Sequence, residues 1–196
     1  MSDSKNFINL VPLGLTRGSK LNDVYILILR EMLGMRCMAM IVSPEEFKMI
    51  SAAMQGEKSE LARVMRNTLD TFGIKLHCAV FHNNTTNNEY CAELLMQQGG
   101  DVRSVRQGIG AATVLAMELN VPLQVSRQYF DTMTGGAVHG NGTVEVRVPF
   151  TAMDKQLLEE AMREAVKNDN FEMAQALRDE LRRREALSHT STTTEF

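Results

Sequence analysis

Hydrophobic residues in this chain recur with two different periods, and each change of period marks an element. Residues 7–15, 23–30 and 36–42 are rich in Val, Ile and Leu and are separated by polar or glycine-bearing segments, which predicts three strands. At Ser43-Pro44-Glu45-Glu46 the signals change together: a serine cap, proline at the first helical position, and glutamate three residues after the cap. A helix is predicted to about Gln55, with Phe47, Ile50, Ala53 and Met54 on one face. A second, over 59–72, places Leu61, Val64, Met65, Leu69 and Phe72 at helical spacing and ends at Gly73, where a left-handed terminator belongs.

Strand period returns over 74–82. Strict alternation there sets Ile74, Leu76, Cys78, Val80 and His82 on one face and Lys75, His77, Ala79 and Phe81 on the other. The asparagine- and threonine-rich run 83–88 predicts a hairpin returning over 89–97, and the turn at 98–101 leads into a short strand over 102–106. Residues 108–119 leave almost no polar face, so a helix there must be covered on nearly every side. Gly108 and Gly110 at its start admit a close approach, either by packing neighbours or by a ligand at a helix N-terminus. Residues 121–125 continue the sheet, 129–133 form one helical turn, and 135–142 read as an exposed glycine-rich connector because nothing convergent accompanies His139. Residues 143–150 are a last strand or extended linker.

Thr151 opens the next helix in capping-box style with Asp154 in place of glutamate. Met153, Leu157, Leu158, Ala161, Met162, Ala165 and Val166 form an apolar stripe, 168–170 break it, and a second helix from Phe171 to about Glu185 completes a helical hairpin. The threonine-rich C-terminus is expected to be a disordered tail. The fold class expected is α+β: a mixed, largely antiparallel sheet with two to three packed helices, plus a C-terminal α-helical hairpin. The divisions expected are 1–150, 151–186 and 187–196.

Composition narrows the function classes. Hydrophobic residues at 44%, charged residues at 23% and a net charge of −3 describe an ordinary globular protein, whose global field does not attract phosphate. A nucleic-acid partner would therefore need a local positive patch. Cys37, Cys78 and Cys91 are odd in number and sit in apolar runs, so they read as buried reduced thiols instead of a disulfide framework or zinc site. The 14 methionines read as core or contact-surface fillers. The start carries no signal pattern and no apolar run is long enough to span a bilayer, so a cytoplasmic location without a membrane partner is expected.

Candidate chemistry is sparse. Glu93 and Asp101 are the only carboxylates expected near the buried helix, and each reads first as a solvated strand or turn residue. His77 and His82 fall on opposite faces and cannot share one site. Gly108-x-Gly110 lacks the third glycine and acidic partner of a dinucleotide fingerprint. Arg178 to Arg184 are interspersed with Asp179 and Glu180, the pattern of a charged helix face.

Two resemblances add to this. Phe171-Glu172-x-Ala174-x-x-Leu177-Arg178-Asp179, following the helix with Met162 and Ala165, resembles the UVR motif, a helical hairpin used for protein docking. That implies a protein-binding role for Phe171, Glu172, Ala174, Leu177, Arg178 and Asp179. Residues 7–134 resemble the bifunctional nuclease family, credited with cutting DNA and RNA. The matching features are Met40-Ile41-Val42, the helix from Ser43, Arg66-Asn67-Thr68-Leu69 ahead of Phe72-Gly73, and Val121-Pro122-Leu123. The resemblance implies phosphodiester hydrolysis with a divalent metal, Mg or Mn, and nucleic acid as a partner. Apart from the resemblance, a homo-oligomer is expected. The departures bear on that chemistry. Leu61-Ala62-Arg63 stand where the family shows Thr-His-Asp or Thr-Tyr-Asp, and Arg106 to Ala112 where it shows Asp-Ala-Arg-Pro-Ser-Asp-Ala. Metal-assisted cleavage needs carboxylates to hold its cations. The competing expectation is a non-catalytic scaffold that recruits a partner through the hairpin.

Overall fold

The computed structural model describes residues 6–18, 24–84, 89–138, 144–146, 148–150 and 153–190. The elements of the first part run β1 (Phe7–Arg17), β2 (Tyr25–Glu31), β3 (Arg36–Val42), α1 (Pro44–Met54), α2 (Glu60–Phe72), β4 (Ile74–Asn84), β5 (Glu89–Gln98), β6 (Asp101–Gln107), α3 (Ile109–Leu119), β7 (Leu123–Ser126), α4 (Arg127–Met133), β8 (Thr134–Val138) and β9 (Val144–Val146). Then follow α5 (Lys155–Lys167) and α6 (Phe171–Thr190). The chain divides into two compact units, 1–147 and 148–196. Phe150 packs with the second unit, against the core of the α5–α6 pair.

The fold is α+β. The described strands form one sheet in the order β6-β5-β4-β7-β1-β2-β3-β8-β9. All neighbours are antiparallel except β4 and β7, which pair in parallel over Ala79–Phe81 and Leu123–Val125. The registers bring Ile8, Leu10, Leu27, Leu29, Met38, Met40, Ala79, Phe81, Ala92, Leu94, Leu123 and Val125 onto one continuous face, and all are buried. α3 contacts β4 and β5 and is flanked by α1 and α2. Seven of its eleven residues are buried, from Ile109 to Ala116, as its lack of a polar face requires.

The helix ends follow local chemistry. Ser43 and Glu46 close a full capping box on α1, Ser59 caps α2, and α2 ends on Gly73 at φ 61°. α3 ends on Asn120, also left-handed at φ 57°.

Four expectations are corrected. The alternation along β4 is broken by a bulge: Leu76 pairs with Met96 but Cys78 pairs with Leu95, leaving His77 as an extra residue. Ile74 and Leu76 therefore share the face of Ala79 and Phe81, not that of Val80 and His82. The glycine-rich connector is in part a strand, because β8 takes its place through backbone pairing of Gly136 and Ala137 with Cys37 and Arg36. Glycine supplies no side-chain period from which such a strand could be read. His139 lies outside the described residues. α5 begins later than expected, since Asp154 is the cap, its carboxylate accepting from the Leu157 N–H at 2.7 Å. Residues 151 and 152 lie outside the described set. Finally, α6 continues to Thr190, past the expected end near Glu185, and residues 191–196, most of the expected tail, lie outside the described set.

Candidate functional site

The N-terminus of α3 is the place where the sequence admits a ligand, and the fold fills it with Glu46. Gly108, the N-cap residue, offers no side-chain cap. Instead Glu46 Oε1 accepts from the Gly110 N–H at 2.8 Å, while its Oε2 accepts from the Ser43 N–H at 3.0 Å. One carboxylate thus caps two helix starts, where the partial positive charge favours an anion. Gly110 is required by this approach: a Cβ there would stand 2.5 Å from Glu46 Cγ and 3.1 Å from its Cα. The glycines serve the meeting of α1 and α3.

A second glutamate ties the other end. Both oxygens of Glu118 accept from the Ser59 N–H, at 2.9 and 3.1 Å, and Arg66 Nη2 donates to the Glu118 carbonyl at 2.8 Å. Beside it lies a cleft of about 310 Å³ lined by Arg66, Asp70, Lys75, His77, Leu119 and neighbouring apolar residues. α2 and α3 both end in it. Helix C-termini favour cations, so Arg66 and Lys75 complement the fold's own dipoles there, and Asp70 adds a further negative charge.

Glu93 and Asp101 are not brought together. Glu93 lies opposite Arg106 in the β5–β6 register, and its carboxylate stands 3.8 Å from His82 Nε2. Asp101 is five residues from Arg106, which places it about 16 Å along the strand and on the opposite sheet face. No cation can be shared between them. Among the described residues no group of three or more His, Cys, Asp or Glu side chains is placed to hold a metal ion. His77 Nε2 instead meets Gln97 Oε1 at 2.7 Å. Cys37 and Cys78 are buried and burial pushes both thiols up, whereas Cys91 is only half-buried.

An ionic cluster that sequence reading missed lies at the β2–β3 end. Arg36 donates to Glu31 Oε1 and Oε2 at 3.1 and 3.0 Å and to Asp131 Oδ1 at 2.8 Å, with its guanidinium 4.9 Å from the centre of the Phe130 ring. Arg36 holds the Glu31 carboxyl below the usual glutamate range. Ninety-five residues separate Arg36 from Asp131, so no local pattern announces the contact.

In the hairpin, the six expected docking residues divide in two. Ala174 and Leu177 are buried with Leu158 and Ala165 in the hairpin's own core. Phe171, Glu172, Arg178 and Asp179 are exposed, Phe171 by 66%. Met173 and Val166 add exposed apolar surface near the inter-helix turn. Arg184 closes the open end, donating to the Met153 and Phe150 carbonyls at 2.6 and 2.9 Å and to Glu180 at 2.8 Å.

No protein-family model and no curated protein matches this chain. Among the described residues no helix is long and apolar enough to cross a membrane.

Proposed function

We propose that this protein is a non-catalytic adaptor, in which the α+β unit is a scaffold and the C-terminal hairpin, of UVR type, recruits a protein partner. The observation that carries this reading is the hairpin itself. Its two helices close over their own buried core, yet Phe171 remains two-thirds exposed, where an unpartnered hairpin would gain nothing from an aromatic side chain. The fate of the carboxylates supports the scaffold half. Glu46 and Glu118 are spent on helix ends, and Glu93 and Asp101 lie too far apart to share a divalent cation. The competing reading, hydrolysis of DNA or RNA with Mg or Mn, requires an acidic cluster, and the described residues supply none.

The test compares partners captured from native cell extract by the full chain with those captured by Phe171→Ala and by Arg178→Glu, alongside incubation of the purified chain with DNA and RNA in Mg and Mn. At least one partner lost from both variants, with both nucleic acids intact, is expected. Retention of every partner, or cleavage abolished by Glu93→Gln or Asp101→Asn, would overturn the adaptor reading.

A further inference from the structure

The two ends of the sheet are treated differently by the sequence. Among the described residues β9 spans only Val144–Val146, a length that offers little to an intruding strand. β6 is seven residues long, exposed from Asp101 to Arg106, and pairs with β5 without any bulge. It contains no proline. Among the described residues nothing pairs with its outer side, so a row of backbone N–H and C=O groups stands ready for another strand. Its valines are open as well, Val102 by 61% and Val105 by 42%.

We infer that the β6 edge is the interface with a second copy of this chain, joined antiparallel about a two-fold axis at Ser104. A two-fold axis normal to the sheet keeps each face on its own side, so only residues of equal parity can stand opposite one another. The register centred on Ser104 is the one that pairs all seven residues. It sets Val102 opposite the partner's Arg106, Arg103 opposite the partner's Val105, and Asp101 opposite the partner's Gln107. Each face of the joined sheet then carries two valine–arginine pairs, in which the arginine stem covers the methyl groups and the guanidinium reaches water. No like charges are opposed. Shifting the centre to Arg103 sets two guanidinium groups face to face, which disfavours that register. β6 belongs to the first unit, and its pairing does not depend on the role of the hairpin.

The register makes the sign of a charge decisive. Wild-type protein in sedimentation equilibrium is expected at twice the 21.9 kDa of one chain. Ser104→Cys should form a disulfide-linked dimer under mild oxidation, because directly opposed residues lie within disulfide reach. Gln107→Cys, about 20 Å from its symmetry mate, should not. Val102→Arg/Val105→Arg places arginine against arginine and should weaken the dimer about tenfold or more, whereas Val102→Glu/Val105→Glu meets the same arginines and should keep it. A monomeric wild type, a dimer in which Ser104→Cys fails to cross-link, or equal effects of the two charge signs would overturn the inference. Val102, Ser104 and Val105 are exposed in the single chain and Gln107 is half-buried, and each variant is checked for its fold by circular dichroism before comparison.

Discussion

Replacing Glu46 by alanine is the sharpest test of how the first unit is held together. The substitution removes the acceptor of the Ser43 N–H at 3.0 Å and of the Gly110 N–H at 2.8 Å. Ser43 is exposed, so water takes over that N–H and the loss there is of the size of a cap, about 0.5–1 kcal/mol. Gly110 is buried, and a buried donor deprived of a charged acceptor costs about 1.5–3 kcal/mol. Together the loss is about 2–4 kcal/mol, which for a unit of this size lowers Tm by roughly 5–15 °C. Urea unfolding followed by circular dichroism should show a lower midpoint with an unchanged slope. Glu46→Gln keeps one acceptor oxygen and should fall between wild type and alanine. Gly110→Ala supplies the second leg of a cycle. Alanine gains about 1 kcal/mol over glycine in a helix, but its Cβ would lie 2.5 Å from Glu46 Cγ and 3.1 Å from a backbone atom, so steric cost wins. In Glu46→Ala/Gly110→Ala the Cγ contact is gone while the Cβ contact at 2.7 Å remains, so the clash is relieved in part and the double variant should be less destabilised than the sum of the singles by about 0.5 kcal/mol. A loss below about 1 kcal/mol for Glu46→Ala, or strict additivity, would refute the two-helix cap.

The Glu31–Arg36 pair predicts an acid limb. The Glu31 carboxyl lies below the 4.5 of a free glutamate in the folded state, so its stabilisation is present above that pH and is lost as pH falls through the folded value. Glu31→Gln should lower the midpoint at pH 7 and flatten the decline below pH 4.5 in a urea titration series. In the hairpin, Leu177→Ala empties a fully buried site and should cost about 2–5 kcal/mol, read as lost helical ellipticity, while Phe171→Ala should leave that signal unchanged. At the α3 terminus, Asn120→Gly should be neutral or raise the midpoint, since glycine occupies a φ of 57° without strain; at the α2 terminus, Gly73→Ala should cost about 1–2 kcal/mol.

Much of this protein was legible in its sequence wherever a feature is local. The Ser43–Glu46 capping box, the left-handed ending at Gly73, the near-total burial of 109–116 and the stripe that cores the hairpin all follow from spacings of three or four residues, which fix what shares a helix face. The same spacing rule failed in β4, because one bulged residue at His77 reverses the faces of everything before it, and bulges leave no periodic trace. It was silent on β8, where Gly135 and Gly136 carry no pattern and backbone pairing with β3 and β9 makes the strand.

The N-terminus of α3 shows where the division lies. Sequence established that Gly108 and Gly110 begin an apolar helix whose orphan N–H groups need an acceptor, and that Glu46 stands at the third position of another helix. Only the tertiary structure decided that these are one site. A carboxylate sixty-four residues away reaches Gly110 because α1 and α3 pack in contact, and packing depends on the whole sheet beneath them, not on either segment.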